Sequence, residues 1–542
     1  MPIELGRDIT PLLNGDSLWG DTVTRGLVER RSEGRVVRVF EDAPLSMYTS
    51  LAATALRTPD AIALVDDALD QWTFAELLGL VHGFADRLAT EGISQGDRVG
   101  LLLETSLEFC VALYAANREG VVVVPIPTKY KAAEVRNLLE RSDVVVVVAE
   151  AGLAHLVPDA IRIVEPADIT HAATAAEGLS SGRNADPDRD AILMYTSGTT
   201  SGCKGVLLTN RNVGHAIVAY QRILDVTAED STIIPVPIYH ITGMVALLGL
   251  FVHCGGKVFL HRRFDTVRVL TTTRDEGVTF LHASPTVFAR LLEHAAEFPA
   301  LPTLRVMACG AAHMPVSRLQ ALHRWLPGME FRTVYGLTET ASPGLIFPGD
   351  AGSSPFCGSS GRPIPGMDLA LLDDSGEPVA VGQTGEIWLR GTNLLRRYDQ
   401  PMMASLRSDG WLSTGDVGHA NAEGYVYITD RTKDMINRGG EKVWCIDLEE
   451  ALRQLPGIAD AAVVGVPDII YGEVPVALIV PTAGSKVDAD AVRNGLRAVV
   501  AGYMVPAAVR IAGALPLTAN LKVDKRAVRK LFAESAGHLT GE

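Results

Sequence analysis

Tyr195-Thr-Ser-Gly-Thr-Thr-Ser-Gly-Cys-Lys-Gly205 follows directly on the apolar run Ala191-Ile-Leu-Met194 and packs three glycines, six hydroxyl side chains and one lysine into eleven residues. Glycine lets a backbone turn with positive φ and approach a ligand closely, serine and threonine hydroxyls donate to phosphate oxygens, and lysine adds a point charge. The composition is that of a phosphate-holding loop, with Thr196, Ser197, Gly198, Thr199, Thr200 and Lys204 as candidate contacts. It is not a Walker A loop, because Cys203 stands where that motif needs glycine and Gly205 where it needs serine or threonine. A flexible linker has a similar composition. The framing opposes that alternative: an apolar run precedes the loop, and Val206-Leu-Leu-Thr-Asn-Arg-Asn-Val213 follows with the helix-opening residues Thr209, Asn210 and Asn212.

Outward from the loop, helical patterns such as Thr73 to Phe84 alternate with short apolar runs, among them Val99 to Leu103, Val121 to Val124 and Val144 to Val147. That alternation predicts an α/β fold layered around largely parallel sheets. After about Gly358, the short segments Asp368 to Leu372, Gly385 to Leu389 and Gly424 to Ile428 are separated by Gly, Asp and Asn turns, which predicts a small β-rich subdomain. From Asp434 onward, strand-like Ala461 to Val466 and Val474 to Val480 stand beside amphipathic Ala489 to Ala498, as in a compact α+β domain.

The whole of 542 residues exceeds what one core organises, and 47% hydrophobic content is ample for several. Lys+Arg of 49 against Asp+Glu of 64 gives a formal charge of −15, which argues against a general nucleic-acid or anionic-membrane binder, so anionic ligands must meet local positive sites. The six cysteines form no C-x-x-C pair, which indicates neither a zinc site nor a disulfide framework. Met1 to Asp8 lacks a basic-then-apolar leader pattern, and the run Met244 to Val252 is too short to span a bilayer. A cytoplasmic protein without membrane insertion is expected.

Further motifs stand downstream: Tyr335-Gly-Leu-Thr-Glu-Thr340, Ser413-Thr-Gly-Asp-Val-Gly418, Asp430-Arg-Thr-Lys-Asp-Met-Ile436, Gly439-Gly-Glu441 and Leu515-Pro-Leu-Thr-Ala-Asn-Leu-Lys522. With the loop at 195–205 they resemble, in order, the signatures of the adenylate-forming superfamily, which includes acyl-CoA synthetases, firefly-type luciferases and the adenylation domains of peptide synthetases. The resemblance runs from about Ser46 to about Leu531. It implies an N-terminal ATP- and acid-binding domain over 46–432, a mobile C-terminal domain over 433–542 with its hinge at Lys433, and an arm at 1–45 of open role, either solvated or docked.

The resemblance also implies roles. The loop residues would hold the β- and γ-phosphates, with Lys204 on the outgoing pyrophosphate. Tyr335 would stack on adenine, with Gly336 beside it. Thr338 would meet the α-phosphate and Glu339 would carry Mg²⁺, a hard carboxylate suiting a hard cation. Asp416 would accept both ribose hydroxyls, and Arg431 would lie near ribose and phosphate. Lys522 would bridge carboxylate and α-phosphate during adenylation, after which rotation at Lys433 would withdraw it and present Gly439, Gly440 and Glu441 to the pantetheine arm of coenzyme A. Taken singly, several of these have plainer readings: a turn aspartate for Asp416, a surface ion pair for Arg431, a solvated basic face for Lys522, a tight turn or helix C-cap for Gly439-Gly440. The sequence departs from the family pattern at Leu521, where glycine is usual, and at Cys445, where proline is common.

Amino-acid-activating members carry an acidic residue in the segment here reading Pro235-Val-Pro-Ile-Tyr-His-Ile-Thr-Gly243, and none is present. His240 instead matches the aromatic or histidine gate of acyl- and aryl-CoA synthetases, a core histidine being its rival reading. The acid pocket is expected near His240, Met244, Gly310, Ala311, Gly336 and Ser342, where small residues leave volume and no Lys or Arg would pair a second carboxylate. The expected activity is ATP-dependent joining of a hydrophobic monocarboxylic acid to coenzyme A. Loading of a carrier protein's pantetheine, and a noncatalytic nucleotide binder, are the alternatives. The oligomeric state stays open, a homodimer being one form.

Overall fold

The computed structural model describes residues 9–32, 35–165, 185–196, 204–400, 405–432, 434–518 and 522–536. The valine-rich runs build a seven-stranded sheet in the order Arg397–Tyr398, Lys204–Thr209, Asp190–Thr196, Val122–Pro125, Arg98–Leu102, Val144–Ala149, Arg162–Val164. Its last five strands are parallel, and the first two continue it antiparallel. Strands covered on both faces carry continuous apolar runs rather than alternation, as these do.

A second sheet of nine strands has a parallel centre in the order Glu330–Tyr335, Val306–Cys309, Phe280–Ala283, Ser231–Ile233, Lys257–Phe259, Ile62–Val65. Helices Phe74–Thr90, Leu107–Glu119 and Asn210–Leu224 pack between the sheets. One hydrophobic core joins Val99, Val123 and Val146 of the first sheet to Leu64, Val258, Phe280 and Val306 of the second. Two of these helices begin at capping boxes, Thr73 with Glu76 and Thr209 with Asn212. The apolar run from Thr242 is helical, with a π-helical turn over Thr242–Gly249 and an α-helix over Leu250–Cys254.

The β-rich subdomain is a five-stranded antiparallel sheet, Leu13–Asn14, Met367–Leu372, Gly385–Gly391, Leu412–Ala420, Val426–Arg431. Its first strand comes from the N-terminal arm, and Leu13 faces Leu369 across the pairing. The described part of the arm is thus docked rather than solvated. A hairpin of Leu27–Ser32 and Arg35–Phe40 follows. Arg38 lies between Asp16 (2.9 Å) and Asp368 (2.7 Å), and buried Phe40 stacks on His215 under the guanidinium of Arg222. Burying a phenylalanine contributes about 1.5–3 kcal/mol, one share of what holds this segment beside the sheet pairing and the Arg38 ion pairs.

From Ile436 onward the chain has its own core, in which Ile436, Val443, Leu448, Val463, Ala477 and Leu496 pack together. Strands Ile436–Arg438, Glu441–Val443, Ile458–Asp468, Gly472–Pro481 and Ala508–Ile511 form its sheet, with helices Cys445–Arg453, Ala489–Arg497 and Lys525–Ala536 around it. The fold is mixed α/β, with a large N-terminal region and a small α+β C-terminal one. Ion pairs Arg318–Asp460 (3.2 Å) and Lys442–Asp374 (3.3 Å) cross between them.

Candidate active site

Parallel sheets bind ligands beyond the carboxyl ends of their strands, and the predicted motifs collect there. Strand Asp190–Thr196 ends at the glycine-rich loop, Ser231–Ile233 leads towards His240, Val306–Cys309 runs into Gly310, and Glu330–Tyr335 runs into Gly336. Ser197, Gly198, Thr199 and Thr200 lie outside the described residues. The loop's two ends are described: Thr196 and Lys204 face each other across an antiparallel pairing.

From that end, Lys204 extends its Nζ to 5.6 Å from the centre of the Tyr398 ring. Tyr398 is carried there because its short strand pairs with Lys204–Thr209, Val206 lying opposite it. Its hydroxyl donates to Glu339 Oε1 at 3.2 Å, and burial together with the Glu339 charge holds its pKa above the ordinary phenol range. The phosphate loop and the predicted Mg²⁺ carboxylate are therefore joined through one ring.

The turn that carries Glu339 is over-determined. Thr340, fully buried, receives the Leu337 N–H at 2.9 Å on its hydroxyl and donates to the Ser342 carbonyl at 3.1 Å. Asn393 donates to the carbonyls of Thr340 (2.7 Å) and Pro343 (2.5 Å), and Leu395 N–H to that of Glu339 (2.7 Å). These bonds hold Ala341 and Ser342 at φ of 50° and 101°, left-handed values that cost non-glycine residues roughly 1–3 kcal/mol each. Such strain clusters at functional sites. Thr338 opens the 3₁₀ turn Thr338–Thr340, half-buried.

Asp416 and Arg431 are direct cross-strand partners in the antiparallel sheet. The Asp416 side chain is 3% exposed; Arg431 Nε meets one oxygen at 2.9 Å, and the Tyr335 hydroxyl donates to the other at 2.6 Å. The Asp416 charge, with that of Glu339 further off, holds Arg431 firmly protonated, and burial with the same carboxylate pushes the Tyr335 phenol up. A carboxylate has about four lone-pair positions, so Asp416 can accept further hydroxyls beside these two. Two contact groups result, Tyr335 with Asp416 and Arg431, and Glu339 with Tyr398 and Lys204, and the single segment Tyr335 to Glu339 contributes a residue to each.

The two glycines of the predicted pocket differ in how closely protein atoms approach them. A β-carbon at Gly336 would stand 1.5 Å from the Ser342 carbonyl oxygen, and one at Gly310 would stand 3.2 Å from the Val334 carbonyl and 3.4 Å from His282 Nε2. Backbone fills that space at Gly336, whereas the contacts at Gly310 are close without overlap. Ala311, next to Gly310, has φ of 70°. Ser342 is buried, its Oγ bonded to the Tyr220 hydroxyl at 2.8 Å. Met244 is fully buried in the π-helical turn, and half-buried His240 packs its ring edge-on to Tyr239 at 4.8 Å.

Among the C-terminal motifs, Lys433 and Leu521 lie outside the described residues. Lys433 is flanked by a bonded turn in which Asp430 accepts the N–H groups of Arg431 (2.7 Å) and Cys445 (2.5 Å). The Cys445 thiol in turn donates to the Asp434 carbonyl at 3.0 Å, which gives the residue replacing the family's proline a packing role. Gly439 and Gly440, at φ of 62° and 99°, form the two-residue turn of a hairpin that pairs Arg438 with Glu441. Two consecutive positive φ values favour glycine at both positions. The tight-turn reading holds and the helix C-cap does not. Glycines 439 and 440 and Glu441 are exposed, as is Lys522, whose backbone N–H bonds to Thr518 Oγ1 at 3.3 Å.

Sequence reasoning missed Tyr398, Asn393, Tyr220 and His282. Tyr398 sits in Arg396-Arg-Tyr-Asp399, with no periodicity or spacing to mark it. Asn393 and His282 act through strand ends that are brought together only by sheet order.

Mg²⁺ binds through one or two carboxylates with phosphate oxygens and water completing the shell. The described residues contain no group of three or more metal-ligating side chains, and Glu339 alone, hard and hydrogen-bonded in place, fits that sparse requirement. No helix among them is long and apolar enough to cross a membrane.

Residues 51–399 match the family model of the AMP-binding enzymes, and residues 447–522 match the AMP-binding enzyme C-terminal domain. A feruloyl-CoA synthase of Amycolatopsis sp. is 34% identical over 471 residues, spanning 85% of this chain and 94% of the relative. The long-chain-fatty-acid–CoA ligase FadD13 of Mycobacterium tuberculosis is 33% identical over 503 residues, spanning 89% and 98%. The o-succinylbenzoate CoA synthetase (MenE) of Bacillus subtilis, solved with the acyl-adenylate intermediate OSB-AMP, superposes with a TM-score of 0.78 at 30% identity, covering 89% of this chain and 97% of that one. The same synthetase has been solved with ATP and magnesium ion.

Proposed function

The chain belongs to the AMP-binding enzyme family, and from that premise we propose how its residues divide the work of an AMP-forming acid:CoA ligase. The protein is an enzyme of that class, using ATP, Mg²⁺ and coenzyme A and acting on a small-molecule carboxylic acid. A carboxylate oxygen attacks the α-phosphorus of ATP, the bond to pyrophosphate breaks, and pyrophosphate leaves. The thiolate of coenzyme A then attacks the acyl carbon, and AMP leaves with the electron pair of the broken C–O bond.

In the first step charge is crowded on phosphoryl oxygens, so positioning and electrostatic stabilisation supply most of the rate. The 196–204 loop and Lys204 hold the triphosphate, Thr338 donates to the α-phosphate, and Tyr335 covers the adenine. Asp416 accepts the ribose hydroxyls, with Arg431 keeping its charge oriented. Glu339 holds Mg²⁺, which when bound neutralises phosphate oxygens. Lys522 brings carboxylate and α-phosphate together from the C-terminal domain, residues 433–542, which swings about Lys433 to present Gly439, Gly440 and Glu441. His240 borders the acid with Met244, Gly310, Gly336 and Ser342. The acid is a hydrophobic monocarboxylate, and the enzyme works in the cytoplasm on free coenzyme A.

The observation that supports this assignment is the unbroken line of contacts Lys204–Tyr398–Glu339 beside Tyr335–Asp416–Arg431. Acid-dependent exchange of pyrophosphate into ATP, followed by thioester formation with free coenzyme A, tests it. Exchange without free-CoA thioester, rescued by a pantetheinylated carrier protein, would move the acceptor to the carrier. Absence of exchange with every acid would refute adenylation.

A further inference from the structure

At the carboxyl edge of the nine-stranded sheet, strand Phe280–Ala283 lies between Ser231–Ile233, which leads towards His240, and Val306–Cys309, which leads into Gly310. Ser284 follows the strand's last residue in extended conformation, at φ of −85° and ψ of 161°, so the alternation carries one residue further and Ser284 stands on the side of His282. Both are buried, at 2% and 4% exposure. The His282 ring stands between Gly310, with Nε2 3.4 Å from where a β-carbon would lie, and Tyr220, whose ring centre is 6.0 Å away. Tyr220 in turn holds Ser342.

Neither His282 Nδ1 nor Ser284 Oγ has a hydrogen-bond partner among the described residues. Ser284 is also the N-cap of helix Pro285–Glu293, yet its hydroxyl does not bond to the helix backbone. Buried polar groups are normally satisfied, and orphans in a native structure call for an explanation. Two at one strand-to-helix junction, beside a residue assigned to the acid pocket, point to a ligand. Burial depresses His282 to about 4, so at neutral pH the ring is uncharged and offers one N–H donor and one acceptor.

We infer that His282 and Ser284 form a polar lining in the acid pocket and bind an uncharged hydroxyl or carbonyl group that the acid carries away from its carboxylate. The substrate class is a hydroxy- or oxo-substituted hydrophobic monocarboxylic acid. A second carboxylate is disfavoured, because a neutral imidazole brings no charge to balance it. This rests on the assignment of Gly310 and Ser342 to the acid pocket.

The test uses the full-length enzyme and matched acid pairs: cinnamic with 4-hydroxycinnamic, 3-phenylpropanoic with 3-(4-hydroxyphenyl)propanoic, dodecanoic with 12-hydroxydodecanoic. Acid-dependent pyrophosphate release gives kcat/KM for each. In at least one pair the hydroxylated acid should win by on the order of 10- to 100-fold, as expected when a site's buried polar groups are left unpaired by the plain analogue. His282→Leu should collapse that ratio towards one, mainly through KM, and His282→Gln, which keeps a donor and an acceptor, should restore part of it. Ser284→Ala, a smaller change that folds more readily, should lower the ratio on its own. Preference for the plain acid in every pair, or a ratio that survives both His282→Leu and Ser284→Ala, overturns the inference while leaving adenylation intact. Failure of all six acids to release pyrophosphate overturns it together with the assignment on which it rests.

Discussion

Replacing Asp416 by asparagine keeps the side chain's shape and removes its charge. The carboxylate is 3% exposed and takes the Tyr335 hydroxyl at 2.6 Å and Arg431 at 2.9 Å. A hydrogen bond to a charged acceptor contributes about 1.5–3 kcal/mol. Arg431 is 45% exposed, so solvent screens that pair to about 0–1 kcal/mol. The variant should therefore lose about 1.5–4 kcal/mol of stability. Two ribose hydroxyls would also bond to a neutral rather than a charged acceptor, at about 1 kcal/mol or more each, which raises the KM for ATP on the order of 10- to 100-fold. The assay titrates ATP and 2′-deoxy-ATP in acid-dependent pyrophosphate release with both proteins. The two nucleotides and two proteins form a double-mutant cycle. The native enzyme should penalise the deoxy nucleotide strongly and the variant weakly. An equal penalty in both, or an unchanged KM for ATP, would refute the ribose assignment.

Further outcomes follow from particular contacts. Gly336→Ala puts a β-carbon 1.5 Å from the Ser342 carbonyl, so it should displace the Glu339 turn and abolish pyrophosphate release, with thermal unfolding shifted down by several degrees, whereas Gly328→Ala, where nothing lies within 4 Å, should leave both unchanged. Lys522→Ala should remove adenylation but spare thioester formation from supplied acyl adenylate, and Gly440→Trp, forced to φ of 99°, should do the reverse; equal loss in both half-reactions would contradict domain alternation. Burial raises Asp430 from its ordinary 3.8 to about 6, against the pull of Lys525 and two backbone N–H groups. The native state then holds that proton more tightly than the unfolded one. This contribution is greatest below about pH 4 and falls by roughly 3 kcal/mol as pH rises through 6. The stability difference between the native chain and Asp430→Asn, measured by denaturant unfolding from pH 4 to 7, should decline over that window; a flat difference would refute the shift.

What was legible in the sequence was local. The helix-opening residues Thr209, Asn210 and Asn212 marked a helix start because capping acts within four residues, and the apolar runs became strands because burial on both faces needs nothing else. The motif order singled out Tyr335, Asp416 and Glu339 as candidates. The rest depends on contacts between distant segments. Docking of the N-terminal arm turns on Leu13 pairing with Leu369, and Tyr398 reaches Glu339 only after its two-residue strand joins Lys204–Thr209. Glycines 310 and 336 suggested an open pocket, since composition does not reveal that a carbonyl from the next turn fills the space at Gly336.

The central claim is that these segments converge on a single nucleotide. A crystal structure of the enzyme with ATP, Mg²⁺ and the acid that gives the highest rate of pyrophosphate release tests it most directly. The account predicts ribose hydroxyls on Asp416, the metal on Glu339, the triphosphate against Lys204, and the acid carboxylate beside the α-phosphate. A nucleotide bound away from Asp416 and Glu339, with Tyr335 and Arg431 still the sole partners of that carboxylate, would contradict it.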